Sequence, residues 1–428
     1  MTAMASAAPH HPAQVPAESS PTQLKRDLRK AQTRKRLAAL ALIAPLAIFL
    51  MLTFVVPIAA LLMRAVENPE VVGTLPKTVA ALTGWDRHGV PPAAAYAALA
   101  GDLAASKENN STGALARRIN IDLPGARSVI MKTMRALPLQ DADGKPLAPA
   151  LLKPALIELD EEWGKPEYWQ AIAKNSSYYS PYYLLAAVDL KQDAFGHVFR
   201  ADPEQSAYGK IFGRTFWISL VVTLCALALG YPLAYWLSTM PERRANLFMI
   251  LVLIPFWTSI LVRVAAWIVL LQSEGLVNKT LMALGLTQAP LELLFNRFGV
   301  YVSMTHILLP FMILPLYSVM KAIPPTYMRA AISLGSHPFA AFWRVYVPQT
   351  YPGVGAGALL VFILALGYYI TPALLGGPNE QMVSYFVAYF TNVTINWGMA
   401  CALGALLFGA TLVLYGVYRR FAKIDVSM

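Results

Sequence analysis

The chain has 428 residues, of which 57% are hydrophobic and only 14% are charged. Because soluble domains carry about 25% charged residues, this composition excludes a soluble protein and indicates an integral membrane protein. The net charge of +11 does not indicate nucleic-acid binding, since the cations lie at the ends of apolar runs and not on one face with interleaved aromatic residues.

The first 64 residues predict a basic tail followed by a membrane span. Residues 1–36 lack apolar periodicity and end in a cationic cluster, which is typical of a disordered tail on the cytoplasmic side of a membrane. The apolar run in residues 37–64 is longer than a signal-peptide core and long enough to cross a bilayer. It therefore predicts a first transmembrane helix. The cluster consists of Lys25, Arg26, Arg29, Lys30, Arg34, Lys35 and Arg36.

Residues 65–208 predict an extracytoplasmic insertion between the first and second transmembrane helices. Residues 66–208 contain 14 Lys and Arg against 17 Asp and Glu, so the excess positive charge lies elsewhere. Short helices are expected within residues 93–105 and 151–163. The tyrosine-rich stretch at residues 178–183 is interpreted either as a set of anchors at the membrane interface or as a surface that binds a partner.

The second half of the chain, residues 209–420, predicts a core of five transmembrane helices. Together with the first helix these make an all-α membrane protein with six spans and both termini in the cytoplasm, residues 421–428 forming the second terminus. Cations such as Arg243, Lys321 and Arg420 occur on the side of the basic tail. The expected spans are approximately residues 216–237, 247–271, 300–320, 353–375 and 398–417.

A loop at residues 322–349 has the composition of two short helices joined by a glycine. Pro325 favours the start of the first helix, and Gly335 favours its end in a left-handed conformation. Pro338 favours the start of a second helix, which is expected to stop near Pro348.

A few polar residues lie within the predicted spans. Arg263 is costly inside a membrane unless it faces polar surroundings or reaches the interface, so it is either a pathway residue or an interfacial one. Trp267 follows one helical turn later and predicts a cation–π contact with Arg263. His306 is interpreted as a helix–helix contact in preference to a proton carrier. Glycines predict close helix packing at Gly355, Gly357, Gly367, Gly398, Gly404 and Gly409.

Several motifs resemble the permeases of spermidine/putrescine-type ABC importers in order and spacing over residues 210–420. The loop also resembles the "Glu-Ala-Ala" loop that docks on the ATPase in this family, although Arg329 stands where the family has glutamate. The motifs are Arg214-Thr-Phe-Trp, Gly230-Tyr-Pro-Leu-Ala, Arg263-Val-Ala-Ala-Trp, Leu309-Pro-Phe-Met-Ile-Leu-Pro and Gly367-Tyr-Tyr-Ile-Thr-Pro.

The resemblance implies the fold of a type I ABC importer permease in a bacterial inner membrane. It implies four kinds of partner, namely a dimer of ATPase subunits, a second similar permease, a periplasmic solute-binding protein and membrane lipid. No cofactor is expected on this chain, because it has no phosphate-binding loop and ATP would be bound by the partner. It implies a coupling loop that contains Arg329, Ala330, Ala331, Gly335 and Pro348.

The predicted function is that of a permease subunit for a polyamine or a similar small solute, not that of an enzyme. Candidate pathway or gate residues are Arg263, Trp267, Tyr368 and Tyr369. The alternative is an ion-coupled secondary transporter that acts without an ATPase, which inverted repeats and ionisable residues in mid-span would mark.

Overall fold

A computed structural model describes residues 21–141, 143–203 and 206–422 of the chain, without the side chains of residues 21–28 and 421–422. The chain divides into two units, residues 1–61 and 62–428, which are described separately. Within the described ranges, six helical segments are long and apolar enough to cross a membrane. This number confirms the predicted six spans. The segments are Arg29–Met63, Tyr208–Thr239, Ile260–Ala283, Arg297–Ala322, Pro338–Gly367 and Trp397–Arg420.

The first unit consists mainly of one long helix. Helix α1 (Pro21–Leu50) continues through a π-helical turn, Met51–Val55, into α2 (Val56–Met63). Residues 21–36 are therefore helical, and the prediction of a disordered tail is wrong for them. These residues are rich in Leu, Lys, Arg, Gln and Ala, which all favour helix. Residues 1–20 lie outside the described part of the chain.

The insertion folds as a small helical domain. A short antiparallel hairpin of β1 (Leu190–Gln192) and β2 (Val198–Arg200) follows the helices. The helices are α3 (Pro69–Thr74), α4 (Pro76–Ala81), α5 (Ala93–Glu108), α6 (Thr112–Asp122), α7 (Ala126–Ala136), α8 (Leu152–Leu159), α9 (Pro166–Lys174) and α10 (Tyr182–Ala186).

This domain has its own hydrophobic core, in which two tryptophans are fully buried. The Nε1 of Trp163 donates to the Thr133 hydroxyl at 2.8 Å, and the Tyr96 hydroxyl donates to the Trp163 carbonyl at 2.8 Å. Trp169 donates to the same carbonyl at 3.0 Å. Because buried polar groups are costly without partners, these bonds allow large aromatic side chains to fill the core.

The membrane core begins at the end of the insertion. Its helices are α11 (Tyr208–Thr239), α12 (Glu242–Leu253), α13 (Ile260–Leu271), α14 (Leu276–Ala283), α15 (Arg297–Ala322), α16 (Thr326–Ser333), α17 (Pro338–Ala341), α18 (Val347–Gly367), α19 (Ile370–Leu375), α20 (Val383–Asn392) and α21 (Trp397–Ala422).

Helices α11, α15 and α18 form the centre of this core, and α15 is the most buried of the six apolar segments. Small residues bring the three helices together. A Cβ added to Gly230 of α11 would lie 3.1 Å from Met312 of α15, and one added to Gly357 of α18 would lie 2.8 Å from the sulfur of the same methionine. Lys321 at the end of α15 bonds to Met240 just beyond α11, so α11 and α15 run in the same direction. Helix α18 runs in the opposite direction along α15, because Gly353 packs against Val319 and Gly357 against Met312.

The glycine predictions hold at some positions and fail at others. A Cβ at Gly355 would lie 2.8 Å from the ring of Tyr418, and Gly398 packs still more closely against Tyr183. An added Cβ would meet nothing within 4 Å at Gly367, Gly404 or Gly409. Close packing is therefore confirmed at Gly355, Gly357 and Gly398 and is wrong for the other three, which face open space.

The expected span at residues 247–271 is broken in the structure. Helix α12 ends at Leu253, a 3₁₀ turn follows over Ile254–Trp257, and α13 begins only at Ile260. Pro255 lies in this turn, where it has no N–H to continue the α-helical hydrogen bonds. The apolar run seen in the sequence is thus divided between two helices.

Candidate coupling surface and translocation pathway

The loop at residues 322–349 has the predicted turn between two helices. Pro325 caps the start of α16, and Gly335 follows its end with a φ of +91°. The ring of His337 accepts a hydrogen bond from the Phe339 N–H at 3.3 Å, and Pro338 is the first residue of α17. A positive φ is accessible to glycine without the strain that a Cβ introduces, so the turn depends on Gly335.

The second helix of the loop does not stop near Pro348. Helix α17 continues through a π-helical turn, Phe342–Tyr346, into α18, and Pro348 is within the first two residues of α18. A π turn changes the hydrogen-bond register, and a proline near a helix start lacks only an N–H that would have no helical partner. The loop is therefore joined rigidly to the membrane helix that follows.

We call the apolar side chains exposed around Gly335 the coupling surface. Leu334 is 89% exposed and Phe339 is 68% exposed. Arg329 and Ala330 are also exposed, while Ala331 is half-buried. Large apolar side chains exposed together mark a surface for another protein or a membrane. The coupling surface consists of Tyr327, Ile332, Leu334, Phe339 and Trp343.

Aromatic side chains anchor the base of this loop to the membrane core. The ring of Tyr235 on α11 lies 5.2 Å from the rings of both Phe342 and Tyr346. The latter two stack on each other at 5.6 Å. Lys321 at the end of α15 donates to the Met240 carbonyl at 3.2 Å. These contacts attach the base of the loop to α11 and the end of α15 to the end of α11.

Three of the four candidate pathway residues are brought together. Trp267 and Tyr368 pack in one apolar cluster with Val264 and Ile307, and Arg263 is close enough to Tyr368 and His306 to interact with them electrostatically. The Nε of Arg263 is buried and has no hydrogen-bond partner. The guanidinium of Arg263 thus lies near the rings of Tyr368 and His306 within the span.

The tryptophan has a different partner from the predicted one. Its Nε1 donates to Nδ1 of His306 at 3.3 Å, and the two rings meet at 70°. This contact joins α13 to α15, as expected of His306. Among the described residues, the predicted cation–π contact between Arg263 and Trp267 is not found. Tyr369 is 42% exposed and lies outside the cluster.

The sequence analysis missed a polar cluster at the end of the core nearest the insertion. Arg297 forms a two-pronged ion pair with Glu380, with distances of 2.7 and 3.1 Å. Arg214 donates to the carbonyl of Asn379. The signal that could have found the pair is the scarcity of acidic residues after the insertion, which makes each one informative.

Two of the four tyrosines of the stretch at residues 178–183 contact other residues of the insertion, whereas Tyr178 and Tyr179 are exposed. The guanidinium of Arg118 lies 4.0 Å from the ring centre of Tyr182 and 5.8 Å from that of Tyr183. Burial raises the pKa of the Tyr183 phenol to about 12, although the charge of Arg118 opposes this shift. Tyr183 therefore stays neutral and serves as a packing residue between the insertion and the membrane core.

Comparisons with known proteins give sequence relatives for the second half of the chain. Residues 215–423 match the family described as "Binding-protein-dependent transport system inner membrane component". The chain is 34% identical over 223 residues to the spermidine/putrescine transport system permease protein PotB of Haemophilus influenzae, covering 51% of this chain and 77% of the relative. It is 31% identical over 225 residues to PotB of Escherichia coli strain K12, covering 52% and 82%.

The chain also aligns with a solved structure of a bacterial alginate ABC transporter, which is in complex with a periplasmic protein bound to an alginate pentasaccharide. The alignment covers 51% of this chain and 79% of the transporter chain, at 16% identity and a TM-score of 0.43. The family assignment rests on the sequence relatives. Binding-protein-dependent transport implies an ATPase and a solute-binding protein as partners. The chain therefore belongs to the binding-protein-dependent transport system inner membrane components, and is a multi-pass permease subunit of an ABC importer and not an enzyme.

Proposed function

We propose that the chain forms the translocation pathway of an ABC importer for a polyamine such as putrescine or spermidine. The observation that carries this proposal is the similarity to PotB, at 34% identity over most of the relative's length. Transport is driven by separate ATPase subunits. In the assembly, the chain pairs with a second, homologous permease and receives solute from a binding protein outside the membrane.

The coupling surface is the docking site for the ATPase in this proposal. Support comes from its exposed Leu334 and Phe339, which suit insertion into an apolar groove. The continuous helix from Pro338 to Gly367 gives a direct connection between this surface and the membrane core. Because Arg329 replaces the family's glutamate, the partner surface is expected to present a carboxylate or a neutral group there.

The aromatic cluster with Trp267 and Tyr368 is the proposed contact for the solute. Aromatic faces attract cations by about 0.5–2 kcal/mol per contact, which is enough to guide a polyamine without trapping it. The positive charge of Arg263, next to this aromatic cluster, repels the cationic polyamine, and Arg263 therefore acts as a gate. Tyr369, which is partly exposed, extends the aromatic surface.

The proposed orientation places the coupling surface and both termini in the cytoplasm and the insertion on the periplasmic side. It is supported by the cations near the ends of α15 and α21 and by the positive-inside rule. The solute then enters from the side of the insertion.

The test is uptake by vesicles that contain the chain together with its ATPase, second permease and binding protein. ATP-dependent uptake of labelled putrescine or spermidine is expected, without uptake of a sugar, sulfate or ferric iron. Vesicles without ATP are the background control. Uptake of sulfate, sugar or iron without polyamine would refute the solute assignment and leave the permease assignment in place.

A matched pair of variants tests the gate. Arg263→Lys keeps the positive charge and should keep polyamine uptake, whereas Arg263→Gln removes it and should change the uptake rate while solute-independent ATP hydrolysis stays the same. Equal uptake by the wild type and both variants would remove Arg263 from the pathway.

A further inference from the structure

Tyr178 and Tyr179 are the two tyrosines of the insertion that its own fold leaves uncovered. Their side chains are 45% and 57% exposed, and their rings meet edge to face with centres 5.1 Å apart. Among the described residues, neither phenol hydroxyl has a hydrogen-bond partner. A pair of aromatic rings with two free hydroxyls is amphipathic, so it fits a surface that is apolar on one side and polar on the other.

The backbone of this pair is joined to the segment that follows the first membrane helix. The Asn68 N–H donates to the carbonyl of Tyr178 at 2.8 Å, and Tyr179 forms an antiparallel bridge with Glu67. The Glu67 N–H in turn donates at 3.2 Å to the carbonyl of Met63, the last residue of α2. Paired strands lie about 5 Å apart, so the tyrosines lie close to the end of that membrane helix.

Two further contacts join the following residues to other membrane helices. Tyr183 packs against Gly398, the second residue of α21. The carboxylate of Asp189 accepts from the N–H of Tyr208, the first residue of α11, at 3.0 Å. Residues 178–189 are therefore attached to the ends of three membrane helices on one side of the membrane.

The ends of these helices have the side chains of a membrane boundary. Arg64 directly follows the apolar run that ends at Met63, and its guanidinium lies 5.8 Å from the ring centre of Trp397, the first residue of α21. An arginine and a tryptophan at the ends of membrane helices are typical of the zone between the hydrocarbon and the headgroups. Tyr178 and Tyr179 are attached at this boundary.

The area of the pair favours a lipid surface over a protein partner. A whole tyrosine buries about 150–250 Å², so two half-exposed rings offer roughly that area together. A stable protein interface takes about 800 Å² from each partner. A bilayer needs no minimum area, because the spans already hold the chain in it and each ring only exchanges water for headgroups and the upper part of the acyl chains.

We propose that Tyr178 and Tyr179 anchor the insertion in the headgroup zone of the leaflet on its own side of the membrane. The rings lie against the upper acyl chains, and the hydroxyls donate to phosphate or ester oxygens of the phospholipids. The insertion is thereby held against the bilayer surface. The proposal depends neither on which solute the importer carries nor on which side of the membrane the insertion lies.

The experiment is EPR spectroscopy on the full chain in nanodiscs of phosphatidylcholine and phosphatidylglycerol, with Cys225 and Cys401 replaced by serine. A spin label at position 177, which is exposed beside the pair, reports its depth by its collisions with oxygen, which concentrates in lipid, and with a water-soluble nickel chelate. The oxygen-to-nickel ratio is expected to be severalfold higher at position 177 than at position 108, an exposed site at the end of α5.

Matched substitutions test the two rings. Tyr178→Asp together with Tyr179→Asp should lower the ratio at position 177 to that at position 108. Tyr178→Trp together with Tyr179→Trp should keep it high, because tryptophan also favours the membrane interface. Leu151→Asp removes an exposed apolar side chain elsewhere on the insertion and should leave the ratio unchanged.

Three results would overturn the proposal. The first is a label at position 177 that is as accessible to nickel as the one at position 108, which would place the pair in water. The second is a ratio at position 177 that the two aspartates leave unchanged. The third is shielding of position 177 from both oxygen and nickel, which would show that a protein surface covers the pair.

Discussion

The contact between Gly398 and Tyr183 makes a sharp prediction, because it joins the insertion to α21. A Cβ added at Gly398 would lie 2.3 Å from Cε2 and 2.5 Å from Cζ of the Tyr183 ring. Real Cβ atoms do not approach other atoms this closely, so one of the two elements must move. Tyr183 is only 5% exposed and its ring lies 5.2 Å from that of Tyr182, which leaves it little room.

The expected effect of Gly398→Ala is destabilisation. Overpacking in a filled site costs about 1–3 kcal/mol. Alanine gains up to about 1 kcal/mol over glycine inside a helix, and less at the second position of α21, so a net loss of about 1–2 kcal/mol is expected. Gly404→Ala is the matched control on the same helix, where an added Cβ meets nothing within 4 Å, and it should leave stability unchanged or slightly raised.

The assay is thermal unfolding of the full chain in nanodiscs. The Tm should fall for Gly398→Ala and not for Gly404→Ala. In a Tyr183→Ala background the ring is gone, so adding Gly398→Ala should cost nothing further. Equal Tm values for the two alanine variants, or a penalty for Gly398→Ala that persists without the ring, would refute the reasoning.

Three further predictions concern coupling, orientation and pH. Gly335→Val should insert normally but reduce ATPase association or solute-stimulated hydrolysis, because a β-branched residue at a φ of +91° is strained by about 1 kcal/mol or more. Gly335→Asn should retain more activity, since asparagine tolerates a positive φ better. Full activity of the valine variant would contradict the proposed role. In a chain lacking Cys225 and Cys401, a cysteine at position 336 should be labelled only from the cytoplasm, and one at position 111 should be labelled only from outside. The reverse labelling pattern would be incompatible with the proposed topology. Burial favours a higher pKa for Asp122, but the charges of Arg118 and Lys174 outweigh burial and hold its pKa below the ordinary value. The contribution of the Asp122 carboxylate to stability is therefore present above pH about 4 and is lost as the pH falls through the lowered pKa. Asp122→Asn should therefore flatten the acid limb of the Tm profile in nanodiscs, whereas Asp143→Asn should not, and parallel profiles for wild type and Asp122→Asn would disprove the linkage.

The helical class, the number of spans and the turn at Gly335 could be predicted from the sequence. Each depends on local chemistry: an apolar run of sufficient length must be helical in a bilayer to satisfy its backbone, and Gly335 between Pro325 and Pro338 specifies a turn through backbone preferences alone. The insertion was likewise visible as a change in composition, and its helix at Ala93–Glu108 was expected within residues 93–105.

What only the tertiary structure decided depends on residues that are distant in the chain. The pairing of Trp267 with His306, the ion pair between Arg297 and Glu380, and the π turn that carries the helix past Pro348 were not predicted. The packing of Arg118 against the ring of Tyr182 was equally invisible, since it requires α6 to meet α10 at the far end of the insertion. Hydrophobic periodicity indicates that a face is buried but not which residues it packs against.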